Sequence, residues 1–233
     1  MSRVIIPLDV SSEGEAFDLV DRLGERADFY KVGLEFFTSC GPDVVHRLQR
    51  LGKRVFLDLK LHDIPNTVAG AVSAASDLGV DLLTVHASGG PTMLRAAARA
   101  RRGNLKLVAV TALTSLSPDE MSHVWGREIR SVREEVGRLT LSAHDAGIDG
   151  VVASALEASW LRGQVDSSFL VVTPGIRPAG SALDDQSRVA TPADAIRAGA
   201  DYLVIGRPIT QASDPEVALG GVLAEIEAAE AQS

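Results

Sequence analysis

Short apolar runs alternate with longer amphipathic stretches along the chain. Several of the runs are solidly apolar, as expected for parallel strands that are buried on both faces. The stretches between them are long enough for crossover helices. The eight candidate strands are Val4–Leu8, Phe29–Val32, Val55–Leu59, Leu82–Val85, Leu107–Val110, Val151–Val152, Leu170–Val172 and Leu203–Ile205.

Three of the intervening stretches carry apolar residues at helical spacing, namely Glu13–Leu23, Pro42–Leu51 and Ser131–Ala146. Eight alternations of strand and helix favour a closed parallel barrel over an open sheet. The chain shows no linker, low-complexity segment or obvious short-period repeat. We therefore predict a single-domain α/β fold over residues 1–233, a (β/α)8 TIM barrel.

Composition and charge narrow the functional classes. Hydrophobic residues make up 45% of the chain, which is enough for a large core. The net charge of -8 offers no basic excess for displacing counterions, so we expect no nucleic-acid partner. Cys40 is the only cysteine, which excludes an internal disulfide and a cysteine-rich zinc site. No apolar stretch approaches the ~20 residues of a membrane span, and no signal-like run is present, so we expect a cytoplasmic protein without a membrane partner.

Charged or glycine-rich segments follow nearly every predicted strand. Active sites of (β/α)8 barrels lie at the carboxyl ends of the strands, so these segments are the candidates for chemistry. A barrel that served only as a scaffold would not need them. The segments include Asp9, Lys31, Asp58 to Asp63, His86 to Gly90, Thr111 and Thr114, Pro174 to Arg177, and Gly206 with Arg207.

The densest of these segments follows the third strand. Asp58 and Lys60 are two residues apart, so a regular strand would place both on one face, roughly 6–7 Å apart. Asp63 follows beyond the strand. Two carboxylates and one ammonium within six residues predict an alternating charge array, and the alternative is a buried ion pair that helps to close the barrel.

Several polar residues have a structural interpretation that stays open. Asp9 could cap the segment that follows it, and Arg177 could be a surface loop residue. We interpret His86 as a hydrogen-bonded histidine at the barrel rim, and we expect His62 to face away from the site.

Taken together, these segments resemble the orotidine 5′-phosphate decarboxylase family in its bacterial form. The pattern Asp58-x-Lys60-x-x-Asp63 continues as Ile64-Pro65-Asn66-Thr67, and the order and spacing of the other segments match over essentially the whole chain. Any one segment is a weak signal, whereas the set is specific. The further matching segments are Leu8-Asp9, Tyr30 to Gly33, Thr84 to Gly90, Val110 to Ser115, Thr173 to Pro178, Asp184 to Gln186 and Ile205 to Ile209.

The resemblance implies decarboxylation of orotidine 5′-monophosphate to uridine 5′-monophosphate in pyrimidine biosynthesis, without a metal or other cofactor. It assigns protonation of C6 to Lys60 and places Asp58 beside the substrate carboxylate. Asp63 would hold Lys60 charged, and Lys31 would complete the array and reach a ribose hydroxyl. The resemblance also implies a homodimer with shared active sites, in which Asp63 and Thr67 come from the partner subunit.

Roles in substrate binding are implied in the same way. Gly206 and Arg207 match a phosphate site, because glycine lets backbone N–H groups approach the oxygens and arginine can donate two hydrogen bonds to them. Arg177 and Gln186 match a loop that closes over the ligand. The remaining implied contacts are Asp9 and Thr67 to the ribose hydroxyls and Thr114 to the pyrimidine ring.

Three other functions stay open at this point. A magnesium-dependent phosphosugar decarboxylase or aldolase with the same motif uses a glutamate at strand two, where this chain has Lys31, and a cation beside a cation is unfavourable. A Schiff-base aldolase would need a neutral Lys60, whereas two flanking carboxylates stabilise its charged form. An inactive nucleotide-binding barrel is the non-enzyme alternative, and the presence of both Asp58 and Lys60 argues against it.

Overall fold

Eight parallel strands close into a barrel, and each pairs with the next in sequence before the first pairs with the last. The structure is a computed structural model, and it describes residues 3–113, 116–178 and 190–231. The predicted (β/α)8 barrel is confirmed. The strands are β1 (Val4–Leu8), β2 (Phe29–Gly33), β3 (Arg54–Leu61), β4 (Leu82–His86), β5 (Lys106–Val110), β6 (Gly150–Val152), β7 (Leu170–Thr173) and β8 (Tyr202–Val204).

Helices surround the barrel and cover its outer face. Glu13–Leu23 forms a helix as predicted, with Ser12 as its N-cap, and the two other predicted helices are each one residue shorter at both ends. No helix in the described ranges is both long and apolar enough to cross a membrane. The helices are α1 (Glu13–Leu23), α2 (Leu34–Cys40), α3 (Asp43–Arg50), α4 (Pro65–Asp77), α5 (Gly90–Ala100), α6 (Pro118–Trp125), α7 (Val132–Asp145), α8 (Ala155–Arg162), α9 (Pro192–Arg197), α10 (Arg207–Thr210) and α11 (Pro215–Glu230).

Apolar side chains fill the amino-terminal part of the barrel interior, and polar ones take over towards the carboxyl end. Phe29 of β2, Phe56 of β3 and Leu82 of β4 belong to one buried cluster. Because successive side chains of a strand point to opposite faces, the next inward positions are two residues further on. In β2 and β3 these positions hold Lys31 and Asp58. The alternation of side chains along each strand therefore places these two charged groups at the carboxyl-terminal mouth of the barrel.

An aspartate clamp recurs at the amino-terminal end of the barrel, directly before an even-numbered strand. Asp81 donates its backbone N–H to the carbonyl of Val55, and its carboxylate accepts the N–H of the same residue at 2.8 Å. Asp149 clamps Leu107 in the same way, and Asp201 clamps Val171.

Each clamp follows a glycine that ends the preceding helix with a positive φ, in the pattern Gly-x-Asp. The φ angles of Gly79, Gly147 and Gly199 are 74°, 84° and 92°, in the left-handed region that glycine adopts without steric cost. The linear sequence does not show this repeat. Its elements lie 52 to 68 residues apart and become comparable only when strands are paired in the barrel.

Candidate active site

Four charged side chains of alternating sign lie across the carboxyl-terminal mouth of the barrel. Lys31 Nζ is 2.8 Å from Asp9 Oδ1 and 3.6 Å from Asp58 Oδ2, and Lys60 Nζ is 2.8 Å from the same Asp58 oxygen. The side chains of Lys31 and Asp58 are only 11% and 12% exposed, whereas that of Lys60 is 34% exposed. The array is therefore anchored in the barrel at Lys31 and Asp58, and it reaches the opening at both of its ends, at Asp9 and at Lys60.

The end of β3 departs from the regular strand that the sequence predicts. Leu57 is in register with Leu83 of β4, but Leu61 is in register with Val85, so three residues of β3 lie opposite the single residue Thr84. Within this irregularity Lys60 has a φ of 51°, the only positive φ of a non-glycine residue in the described ranges. Such a conformation costs a side-chain-bearing residue about 1–2 kcal/mol. It places the Lys60 ammonium against Asp58, where regular alternation would separate the two residues along the strand.

Gly33 leaves room for the other end of the array. A Cβ at this position would lie 3.0 Å from Lys31 Nζ and 3.2 Å from Asp9 Oδ1, closer than ordinary side-chain contacts. Any larger residue would push against this ion pair. The glycine that ends β2 thus leaves the Lys31–Asp9 ion pair undisturbed, whereas a side chain here would shift it by a few tenths of an ångström.

A small cavity of about 180 Å³ adjoins the ion array inside the barrel mouth. Apart from Lys31, Asp58 and Lys60, its walls are mainly apolar side chains from the other strands. The cavity is therefore charged on the side of the ion array and apolar elsewhere. The apolar walls include Val110, Ala112, Val152, Val172, Pro174 and Val204.

A larger cavity of about 710 Å³ lies beside the small one and shares Lys31, Pro174 and Val204 with it. Gly206 and Arg207, which follow β8, form part of its wall. Asp9 and Lys31 also line it, so one end of the ion array faces the same cavity as Arg207.

Arg177 lines the same larger cavity and is only 8% exposed, so it is not a surface loop residue. Its guanidinium donates a hydrogen bond to the carbonyl of Ile176 at 3.1 Å. Its backbone N–H donates to the carbonyl of Ala190, and Ile176 pairs with Ala190 in a parallel bridge. Arg177 and Arg207 therefore line the same cavity.

The structure does not bring every predicted residue to this site. Asp63 and Thr67 are exposed, and Asp63 Oδ1 accepts the backbone N–H of Ile64 at 2.6 Å. Among the described residues no ion pair joins Asp63 to Lys60 of the same chain. Thr114 and Gln186 lie outside the described residues.

Two histidines stack beside the end of β3. The rings of His62 and His86 are 5.1 Å apart and inclined by 19°, and His86 Nδ1 is 2.7 Å from Ser88 Oγ. Burial, and secondarily the neighbouring His62 and Lys60, lowers the pKa of His86 to about 4. His86 is thus a hydrogen-bonded, neutral histidine at the barrel rim, in agreement with the interpretation from the sequence, and His62 is exposed.

Thr84, for which the sequence predicts no role, contacts two residues of the array. Its hydroxyl donates to Asp58 Oδ1 at 3.0 Å and accepts the backbone N–H of Lys60 at 2.7 Å. The side chain is completely buried. The one signal in the sequence is a polar residue at an inward position between the apolar residues of β4.

Comparison with known proteins identifies the family. The family model described as orotidine 5′-phosphate decarboxylase / HUMPS matches residues 2–221. The chain belongs to this family. The resemblance noted from the sequence motifs is therefore confirmed.

Relatives within the family are similar over nearly their whole length. The orotidine 5′-phosphate decarboxylase of Moorella thermoacetica is 52% identical, over 97% of this chain and 92% of that relative. The corresponding protein of Nitrosomonas eutropha is 51% identical, over 94% of each chain. The crystal structure of orotidine 5′-phosphate decarboxylase from Lactobacillus acidophilus superposes with a TM-score of 0.86 at 38% identity, covering 97% of this chain and 99% of that one.

Proposed function

We propose that the protein decarboxylates orotidine 5′-monophosphate to uridine 5′-monophosphate and carbon dioxide, a step of pyrimidine biosynthesis. The observation that carries this proposal is the Asp9–Lys31–Asp58–Lys60 array at the edge of an apolar cavity. The sequence similarity to proteins named orotidine 5′-phosphate decarboxylase over almost the whole chain supports it.

The reaction places a specific demand on the protein. Breaking the bond between C6 and the carboxylate leaves an electron pair in the plane of the ring, where the pyrimidine π system cannot delocalise it. Without an electron sink, the protein must lower the barrier by electrostatics and by a proton at C6. A preorganised array of fixed charges at the edge of an apolar pocket meets this demand.

Asp58 and Lys60 perform the chemical step in this proposal. The substrate carboxylate lies beside the Asp58 carboxylate, and their repulsion disappears when neutral carbon dioxide leaves. The electron pair of the broken bond remains at C6, and the Lys60 ammonium delivers a proton to it. Lys60 suits this role because its Nζ is held 2.8 Å from Asp58 and reaches the opening of the barrel.

The remaining residues bind the nucleotide away from the reacting carbon. The phosphate lies against Gly206 and Arg207 in the larger cavity, which Arg177 also lines. Lys31 and Asp9 contact ribose hydroxyls between the two cavities. Gln186 and Thr114 are proposed to close over the ligand and to recognise the pyrimidine ring, respectively. Binding energy from the phosphate can then position the ring against the ion array.

The position of Lys31 argues against the magnesium-dependent branch of the fold. Its ammonium is 2.8 Å from Asp9 and 3.6 Å from Asp58, so it already neutralises carboxylates that a divalent cation would use. Among the described residues no group of three or more His, Cys, Asp or Glu side chains could hold a metal ion. We propose that the reaction needs neither a metal nor an organic cofactor.

The proposal includes a homodimer whose two active sites are shared between subunits. Asp63 and Thr67 face outwards at the start of α4, next to Ile64, whose apolar side chain is 67% exposed. A second chain that covers this surface would receive Asp63 beside its own Lys60, and it would remove Ile64 from water. A cytoplasmic location, where nucleotide synthesis takes place, completes the proposal.

Turnover of orotidylate tests the function directly. The purified protein should consume orotidine 5′-monophosphate, followed by its loss of ultraviolet absorbance, and should form uridine 5′-monophosphate, identified by chromatography. The rate should be the same with and without a strong chelator. Absence of turnover would refute the proposed activity, and a chelator-sensitive rate restored by magnesium would favour the metal-dependent branch instead.

A further inference from the structure

We infer that Thr84 is a positioning residue, whose hydroxyl holds Asp58 and the Lys60 backbone in the arrangement that decarboxylation requires. This inference rests on the proposed function, because the arrangement matters only if Asp58 and Lys60 carry the chemistry. Thr84 itself lines neither cavity. It acts through the two residues that it contacts.

The irregular end of β3 creates the need for such a residue. Leu57 and Leu61 pair with Leu83 and Val85, so the intervening β3 residues have only Thr84 opposite them. A regular parallel ladder offers a backbone carbonyl to each N–H. At Lys60 the Thr84 hydroxyl takes the place of that carbonyl and accepts the N–H at 2.7 Å.

The same hydroxyl fixes the carboxylate of Asp58. It donates its proton to Asp58 Oδ1 at 3.0 Å, while Asp58 Oδ2 receives Lys60 Nζ at 2.8 Å and lies 3.6 Å from Lys31 Nζ. Each Asp58 oxygen therefore has its own partner, and rotation of the carboxylate would break both sets of contacts. One hydroxyl thus sets the rotamer of the acid and the backbone conformation of the lysine.

The position between Asp58 and the Lys60 backbone requires a group that can both donate and accept a hydrogen bond. A threonine hydroxyl has one proton to donate and two lone pairs to accept with, and here it uses both functions. Valine has nearly the same shape but neither function. Because Thr84 is completely buried, water has no open route to replace the hydroxyl.

The test compares Thr84→Val, which keeps the shape and removes the hydroxyl, with Thr84→Ser, which keeps the hydroxyl. A misplacement of reacting groups by about 1 Å can cost about 10²-fold in rate, so we expect kcat of Thr84→Val to fall on that order. Thr84→Ser should stay within about threefold of the unmodified protein. The dissociation constant of uridine 5′-monophosphate, measured by calorimetry, should stay nearly constant in both variants, because Thr84 does not line the cavities.

Thr140→Val is the matched control. Thr140 is also a completely buried threonine, but it lies on α7, and its Oγ1 has no hydrogen-bond partner in the described part of the chain. Its replacement should leave kcat unchanged. A loss of kcat in Thr84→Val that Thr84→Ser does not share, with binding retained, would therefore report the hydroxyl itself.

Three results would overturn the inference while leaving the proposed function intact. These are an ordinary kcat in Thr84→Val, an equal loss in Thr84→Ser, or a loss accompanied by abolished nucleotide binding. If the valine variant does not fold, Thr84→Ala is judged by the same criteria.

The crystal structure of the variant tests the inference without measuring activity. The contact between Lys60 Nζ and Asp58 should lengthen beyond 4 Å, and an unchanged contact would refute the inference.

Discussion

Lys60 is held in place both at its backbone and at its charged side chain. Its backbone has a φ of 51°, its N–H is bound by Thr84, and its ammonium lies against Asp58. Each of these restraints removes freedom that a surface lysine would keep. In the proposed mechanism these restraints hold the acid in place before substrate arrives, which avoids reorganisation during the reaction.

Substitution of Lys60 should separate chemistry from binding. Lys60→Ala should lower kcat by at least about 10²–10⁴-fold, the usual contribution of a positioned general acid, while uridine 5′-monophosphate still binds. Arg207→Ala should weaken that binding by roughly 10–100-fold, since a charge-assisted hydrogen bond contributes about 1.5–3 kcal/mol. Steady-state kinetics and calorimetry measure the two effects.

Exposed cations elsewhere supply the controls for these two variants. Lys106 lies at the amino-terminal end of β5, at the opposite end of the barrel from the site, and the side chain of Arg130 is 80% exposed. Lys106→Ala and Arg130→Ala should change neither quantity. Normal turnover in Lys60→Ala would remove Lys60 from the mechanism.

His86 predicts a dependence of stability on pH. Its pKa is about 4 in the folded protein and near 6.5 when unfolded, so between these values the unfolded chain binds the proton more readily. The neutral ring therefore stabilises the fold fully above pH 6.5, and this stabilisation is lost as the pH falls towards 4. We expect a contribution on the order of 1–3 kcal/mol.

Urea unfolding of His86→Gln at pH 7.5 and pH 4.5 measures this contribution. The drop in the free energy of unfolding between the two pH values should be smaller in the variant than in the unmodified protein. The same replacement at the exposed His46 should leave the drop unchanged. A drop of the same size in His86→Gln would contradict the assignment to His86.

The sequence predicts the charged residues of the site better than the contacts that hold them. Asp9, Lys31, Asp58 and Lys60 were found because each lies at the end of a buried strand, where barrel sites are built. Thr84 was not found, because its role depends on the shifted register between β3 and β4. Register is a property of two paired strands, and the hydrophobic pattern of one strand does not contain it.

At the scale of elements, the barrel keeps stability and proposed chemistry at opposite ends. The Gly-x-Asp clamps lie where the strands begin, and the ion array lies where they end. Asp149 also pairs with Arg101 and with Lys106, so its clamp is part of a wider network. The two ends should therefore respond independently to substitution.

Removal of one clamp tests this separation. Asp81→Ala leaves the N–H of Val55 without its carboxylate acceptor, so the free energy of unfolding should fall by about 1–3 kcal/mol while kcat stays unchanged. Denaturant unfolding and the turnover assay give the two values. Asp77→Ala is the matched control, because that carboxylate is 71% exposed and its ion pair with Arg102 contributes little. A large loss of kcat in folded Asp81→Ala would show that the two ends are coupled.

The apolar runs predict the positions of all eight strands, because burial on both faces leaves a signal in the sequence, which is weakest at the three-residue strand Gly150–Val152. The predicted and observed lengths differ most at β3, which is predicted as Val55–Leu59 and extends from Arg54 to Leu61. Of the residues added at this end, Lys60 belongs to the irregularity opposite Thr84, where polar side chains interrupt the apolar pattern, and Leu61 resumes the pairing with Val85. A functional site thus obscured the boundary of the element that carries it.

At the scale of the whole molecule, the structure of a single chain bears on the proposed dimer only through the side chains that it exposes. Asp63 is exposed, and its carboxylate is bound to the N–H of Ile64 within its own loop. No sequence pattern shows which subunit receives an exposed side chain. The expectation of a shared site therefore rests on the family resemblance and on the outward position of α4.

Mixing of two inactive variants tests the shared site. Lys60→Ala and Asp63→Ala homodimers should both be severely impaired. In a mixed dimer, one site would carry both defects, whereas the other would combine an intact Lys60 with an intact Asp63. Reassociation should therefore restore activity, up to one working site per mixed dimer. If mass spectrometry confirms mixed dimers and activity stays at the level of the separate variants, Asp63 acts within its own chain.

The recurring clamp also divides the barrel into modules. Asp81, Asp149 and Asp201 each bind an odd-numbered strand to the even-numbered strand that follows it, so β3–β4, β5–β6 and β7–β8 form like pairs. A fold assembled by duplication of a two-strand ancestor would carry this periodicity. A circular permutation that places the new termini between two of these strand pairs would therefore keep both partners of every clamp in one continuous stretch of chain.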